Sequence, residues 1–186
     1  MKIHQLGVTF DPVQDRLLLR INTSDRQELE VWLTRRITTR WVQALSKLIV
    51  DQLASNVHFQ TTLLNAQDKQ MYADFKIQEQ WGKSDFKTPY QRGTHRLLPE
   101  GPLLLTDLQM MDSPEGLTLI RLQEREHEYG VARSMEIQLN PELLTGLLHL
   151  LQELWPTTGW SEMPSSESLQ TTDLAITPAS PGRLLN

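Results

Sequence analysis

The chain has 186 residues, 39% hydrophobic and 22% charged, with a net charge of -5 and no cysteine. That length suits one domain or two fused half-domains, and the lack of cysteine excludes disulfides, thiolate metal sites and thiol catalysis. No stretch approaches the roughly 18 consecutive apolar residues of a membrane-spanning helix, and a pI near 5.5 disfavours bulk attraction to DNA, RNA or anionic lipid.

Met1 to Gln5 offers neither an apolar core nor a small-residue cleavage site, so no secretory leader is expected. A cytoplasmic location is the expectation. Leu6, Val8 and Phe10 then alternate with polar or small residues, the period of a half-buried strand. Asp11-Pro12-Val13-Gln14-Asp15 supplies turn chemistry. Leu17, Leu19 and Ile21 form a second alternating run, and Asn22 to Asp25 a second turn. The third run sets Leu29, Val31 and Leu33 on one face and Glu28, Glu30, Trp32 and Thr34 on the other.

The period then changes. Trp41, Leu45, Leu48, Ile49 and Leu53 make one helical stripe, with Thr38 or Thr39 as candidate N-cap and Ser55-Asn56 as the end. Val57 to Phe59 reads as extended. Met71, Phe75, Gln78 and Trp81 recur about once per turn, which predicts a middle helix over 67–81 with a thin apolar stripe. Lys83 to Arg96 holds Gly82, Pro89 and Gly93 in or beside it and no period, and reads as an exposed, mildly basic loop.

The first plan then returns. Leu104, Leu108 and Met110 mark a strand, and Asp112 to Gly116 a turn. In residues 117–122, Leu117, Leu119 and Arg121 alternate with Thr118, Ile120 and Leu122, and both sets are mostly apolar, as in a strand covered on two sides. A third strand over 127–139 carries Tyr129, Val131, Met135, Ile137 and Leu139 on one face. Asn140-Pro141-Glu142 is a strong helix start: Asn caps, Pro fits the first turn and Glu complements the dipole. Leu143, Leu144, Leu147, Leu150, Leu151 and Trp155 follow. The two apolar helix stripes superpose at a constant offset of 102, Trp41 onto Leu143 through Leu53 onto Trp155. The expected fold is therefore α+β. Two strand-strand-strand-helix units (3–54 and 103–155) form antiparallel sheet with helices on one face, and 57–96 is an insertion. Residues 156–186 are 14 of 31 Pro, Ser or Thr and read as a flexible tail, or as one docked through Leu174-Ala175-Ile176.

Charge is uneven. Residues 1–55 carry eight basic and six acidic side chains, and residues 97–155 carry three basic and ten acidic. This suggests a polar molecule with surfaces for self-association or a partner. The five histidines form no helical metal pair, and His127 among Glu124, Glu126 and Glu128 reads as a solvated acidic strand. No Walker lysine loop or Gly-x-Gly-x-x-Gly turn occurs. No metal, cofactor or catalytic residue is expected.

The most suggestive local feature is Trp32 with Arg35, Arg36 and Arg40 at a strand-to-helix junction. A strand-face aromatic beside guanidinium groups stacks bases and contacts phosphates; arginine packed on tryptophan explains the same residues without a ligand. The Trp32-Leu33-Thr34-Arg35-Arg36 stretch resembles a signature of a family of uncharacterised bacterial proteins. That resemblance implies a bacterial source and no activity. The doubled order of elements is similar in topology to Whirly and PUR-type single-strand-binding folds, without their nucleic-acid motifs. The primary expectation is a non-enzymatic protein working through protein–protein contacts, as a homodimer or adaptor. Single-stranded nucleic-acid binding through Trp32 and the three arginines is the second, and an enzyme whose site assembles only in three dimensions the third.

Overall fold

The computed structural model describes residues 2–55, 66–83, 85–86, 88–113, 116–126 and 131–161. The fold is α+β, with two sheets of mainly antiparallel strands and helices packed against them. The first sheet starts as a meander of β1 (Ile3–Asp11), β2 (Arg16–Thr23) and β3 (Gln27–Thr34). Its register aligns three apolar rows: Leu6–Ile21–Leu29, Val8–Leu19–Val31 and Phe10–Leu17–Leu33. Alternation puts these rows on one face, where the β2 and β3 members are completely buried. Each such side chain contributes roughly 1.5–3 kcal/mol, against about 0–1 kcal/mol for an exposed ion pair. The apolar rows therefore set the register.

The turns are locally encoded. Asp11 Oδ1 accepts from the backbone N–H groups of Val13 and Gln14. At the next hairpin the Thr23 hydroxyl accepts from the Gln27 N–H, and Arg26 holds a left-handed φ of 56°.

α1 (Arg35–Ser55) follows β3 without a linker. It starts earlier than the Thr38 or Thr39 cap predicts. Thr34 Oγ1 faces the Ile37 N–H at 3.4 Å, whereas the Thr38 and Thr39 hydroxyls donate to the Thr34 and Arg35 carbonyls one turn back. Ile37, Trp41, Leu45, Leu48 and Ile49 form the buried stripe. α2 (Ala66–Lys83) confirms a middle helix and keeps Trp81 of the expected stripe against the core, but not Met71 and Phe75. Ala73 and Ile77 are buried and the Trp81 Nε1–H donates to the Thr145 carbonyl, while Met71 and Phe75 are 65% and 64% exposed.

The second sheet contains β6 (Asp107–Asp112), β7 (Thr118–Arg125) and β8 (Val131–Leu139) in that order, all antiparallel. Its inward rows are Leu108–Leu122–Met135 and Met110–Ile120–Ile137. Leu104 does not belong to this sheet. Two short strands, β4 (His95–Arg96) and β5 (Leu103–Leu104), pair parallel with β3 and extend the first sheet. Asn140 caps α3 (Pro141–Leu154) as expected, its Oδ1 accepting from the Leu143 N–H. α3 returns to pack against α1 and β1, so one continuous apolar cluster spans both units.

The chain stays ordered beyond the expected boundary at 155. A 3-10 turn over Trp155–Thr158 leads to Trp160, which is 9% exposed and donates from Nε1 to Asp15 Oδ1. Its ring meets Phe10 and Trp155 edge-on. The expected run at 57–59, Tyr129, His127 and the Leu174–Ile176 segment lie outside the described residues.

Candidate functional site

The outward faces of the two sheets differ. On the first sheet the outward rows are Gln5–Asn22–Glu28, Gly7–Arg20–Glu30 and Thr9–Leu18–Trp32. Part of this face is covered, while Thr9 is exposed and Trp32 half-buried. Residues 88–97, overlapping the loop expected over 83–96, are mostly exposed as expected and form a strap across it. Tyr90 lies over Gly7, where a Cβ would come within 2.9 Å of the ring. Gln91 accepts through its carbonyl from Asn22 Nδ2, and its N–H donates to Gln5 Oε1. Gly93 sits so close to the β2–β3 hairpin that a Cβ would meet Arg26 O and Glu28 backbone at 2.8–2.9 Å. The carbonyl of Arg26 accepts from the Thr94 N–H at 2.8 Å.

The strap buries two carboxylates. Glu28 and Glu30 are 5% and 9% exposed, a placement that requires partners. Tyr90 donates its hydroxyl to Glu28 at 3.0 Å. Arg20 Nε lies 3.3 Å from Glu30, and Arg96 Nη2 lies 3.5 Å from it. Burial pushes the Tyr90 phenol well above its ordinary range, and the hydrogen bond and charge of Glu28 add to the rise, while Arg20 opposes it. Both carboxylates have partners, and the link from Tyr90 to Glu28 reads as an anchor for the strap.

On the second sheet the outward rows are Asp107–Gln123–Ser134, Gln109–Arg121–Glu136 and Met111–Leu119–Gln138. Every one of these residues is exposed or half-exposed. The strand at 118–125 is therefore covered on one face, not on both. Thr118, Ile120 and Leu122 are buried, while Leu117, Leu119 and Arg121 are only partly so. The middle row is prearranged: Arg121 donates to Glu136 Oε1 at 2.7 Å and to Gln109 Oε1 at 3.3 Å. Beside it, Met111 and Leu119 form a small apolar strip. At the far end Arg125 pairs with Asp107 at 2.8 Å.

Trp32 is half-buried on the outward face of the first sheet, between Leu18 on β2 and Leu104 on β5. Arg35 donates to the Ser161 hydroxyl, Arg36 is exposed and Arg40 is half-buried within α1. Arg35 opens the helix that packs on the opposite, inward face. Of the acidic run near 124–128, Glu124 pairs with Arg133 and accepts from the Leu104 N–H, a structural role joining the sheets. No group of three or more potential metal ligands occurs among the described residues, and no described helix is long and apolar enough to cross a membrane. Comparison with family models, with curated proteins and with solved structures finds no match for this chain.

Proposed function

We propose that this is a non-enzymatic protein that works through protein–protein contacts, with the outward face of the second sheet as the contact surface and a second copy of the chain as the first partner to test. One observation carries the reading. Two units of like order differ in that a strap runs over part of the first outward face, whereas every described residue in the outward rows of the second is exposed or half-exposed. An antiparallel sheet with one solvated face is common, but here that face holds a fixed Arg121–Glu136–Gln109 row beside Met111 and Leu119. A preset polar row with an adjoining apolar strip suits an isologous contact, in which each group meets its own symmetry mate's complement.

Light scattering over a concentration series, with cross-linking, tests it. A dimer mass that falls to monomer on Leu119→Arg supports the proposal, and because Leu119 is outside the core the variant should fold. A monomer at every concentration that retains no partner from lysate would refute it.

A further inference from the structure

A concavity of about 590 Å³ lies where the start of β1, the tip of the β2–β3 hairpin and the strap meet. No residue of the proposed contact surface lines it. Its size falls within the ~300–1,000 Å³ typical of small-molecule sites. The charge on its wall is of one sign. Arg26 and Arg92 line it, with His4 as a titratable ring, and no carboxylate does. The chain as a whole carries a net charge of -5, so this wall runs against the overall composition.

Arg26 is the first pointer. It holds a left-handed φ of 56°, a conformation that costs a residue with a side chain about 1–2 kcal/mol and that glycine takes freely. Its backbone makes three bonds there: the N–H donates to the Thr23 carbonyl at 2.9 Å, and the carbonyl accepts from the Thr94 N–H at 2.8 Å and the His95 N–H at 3.3 Å. A glycine would make the same bonds without strain. The guanidinium adds no hydrogen bond or ion pair to any described residue. Neither backbone geometry nor pairing within the chain asks for an arginine at this position. His4 is placed by a second irregularity. Ile3 pairs with Thr23 and Gln5 with Asn22, so His4 is one residue too many in the register, a device that re-aims a side chain.

The strap brings Arg92 to the same place. On one side of it the Gln91 carbonyl accepts from Asn22 Nδ2 at 2.8 Å, and on the other the Thr94 N–H donates to the Arg26 carbonyl. The Arg92 guanidinium is likewise without a partner among the described residues. Two acids stand nearby in the chain, Asp25 and Glu28, but neither lines the concavity, and Glu28 accepts from Tyr90. Lys2, whose carbonyl accepts from the Ser24 N–H, is a further cation beside it. Coulomb energy falls with distance, and the charged groups on the wall itself are both cations. A ligand that fills the space meets each arginine without the two having to reach one atom. The Ser24 hydroxyl and the Gln91 side-chain amide, on the same wall and unpartnered among the described residues, supply neutral donors.

We propose that this concavity binds a small phosphomonoester, its phosphate held by Arg26 and Arg92 and its hydroxylated body by Ser24 and Gln91. A phosphate offers about -1.5 to -2 charges and three acceptor oxygens, enough for two guanidinium forks. The test titrates ribose 5-phosphate into the full chain and follows the amide shifts of Thr23, Ser24 and Thr94 in NMR spectra. Ribose is the uncharged counterpart, and octathymidylate the single-stranded probe. The expected result is saturable binding of ribose 5-phosphate in the millimolar range or tighter, with ribose at least about tenfold weaker and octathymidylate no tighter than the ester. Arg92→Gln weakens binding of the ester about fivefold or more. Arg26→Gly does the same while the urea midpoint stays level or rises, because the left-handed strain is relieved. Lys47→Gln, on an exposed part of α1 and off the wall, leaves binding unchanged. The proposal is overturned if ribose 5-phosphate gives no saturable shift, if ribose matches it, if either arginine variant leaves binding unchanged, or if Lys47→Gln costs as much as they do. Tighter binding of octathymidylate than of the ester also overturns it, and assigns the two arginines to a nucleic-acid strand instead.

Discussion

Replacing Tyr90 by phenylalanine removes one oxygen from the strap and leaves its ring over Gly7. The hydroxyl donates to Glu28 at 3.0 Å, and Glu28 is 5% exposed, so water has little access to take its place. A hydrogen bond to a charged group contributes about 1.5–3 kcal/mol. Tyr90 itself is only half-buried, which places the expected loss near the middle, at about 2 kcal/mol. With a urea slope of about 2 kcal/mol per molar, the unfolding midpoint should fall by about 1 M with the slope unchanged. Glu28→Gln removes the acceptor's charge, and the double variant should show coupling of at least about 1 kcal/mol, since the two groups touch. A loss under about 0.5 kcal/mol for Tyr90→Phe, within the range of ordinary surface changes, would refute the anchoring role of this bond.

Three further outcomes follow from the same structure. The Tyr90 phenol is raised in the folded state, so its contribution to stability is complete below the ordinary phenol value of 10.0 and is lost as pH climbs from there toward the folded value; alkaline unfolding curves of the wild type should therefore steepen above that pH relative to Tyr90→Phe, and equal slopes would contradict the assignment. Gly93→Ala places a methyl against the Arg26 carbonyl and Glu28 backbone at 2.8–2.9 Å; calorimetry should show a loss of about 1–3 kcal/mol, with faster amide exchange at Thr94 and Leu97. Asn140→Ala removes the cap on the Leu143 N–H and should cost about 1 kcal/mol, read from the urea midpoint.

The meanders and α3 were legible because their signals are local. Leu17, Leu19 and Ile21 carry a strand period, and Asn140-Pro141-Glu142 carries both a cap and a first turn. What could not be read was the covering of faces. Glu28 and Glu30 on alternate positions of β3 look like a solvated face, and they would be one without Tyr90 and Arg96, which arrive from more than 60 residues away. The stripe on α2 misled because Met71 and Phe75 carry the larger hydrophobic signal, whereas the surface available against α1 and α3 is narrow and takes Ala73 and Ile77. Arginines at 35 and 36 suggest a patch with Trp32 by proximity in sequence; Arg35 donates to Ser161, a partner 126 residues away that no local pattern signals.

Each half of this molecule finishes the other. β3 gains its outer neighbours from residues 95–104, its carboxylates gain their counter-groups from 90 and 96, and β1 is roofed by the last helix, while Trp160 locks onto the first hairpin. A ribosome that has delivered only the opening fifty-odd residues holds a meander in which Glu28 lacks Tyr90 and Glu30 has Arg20 but not Arg96, with α1 covering the apolar floor and α3 still to come. Cooperative folding must then wait for the later portion to emerge, and neither half, severed from the other, should stand as an independent unit.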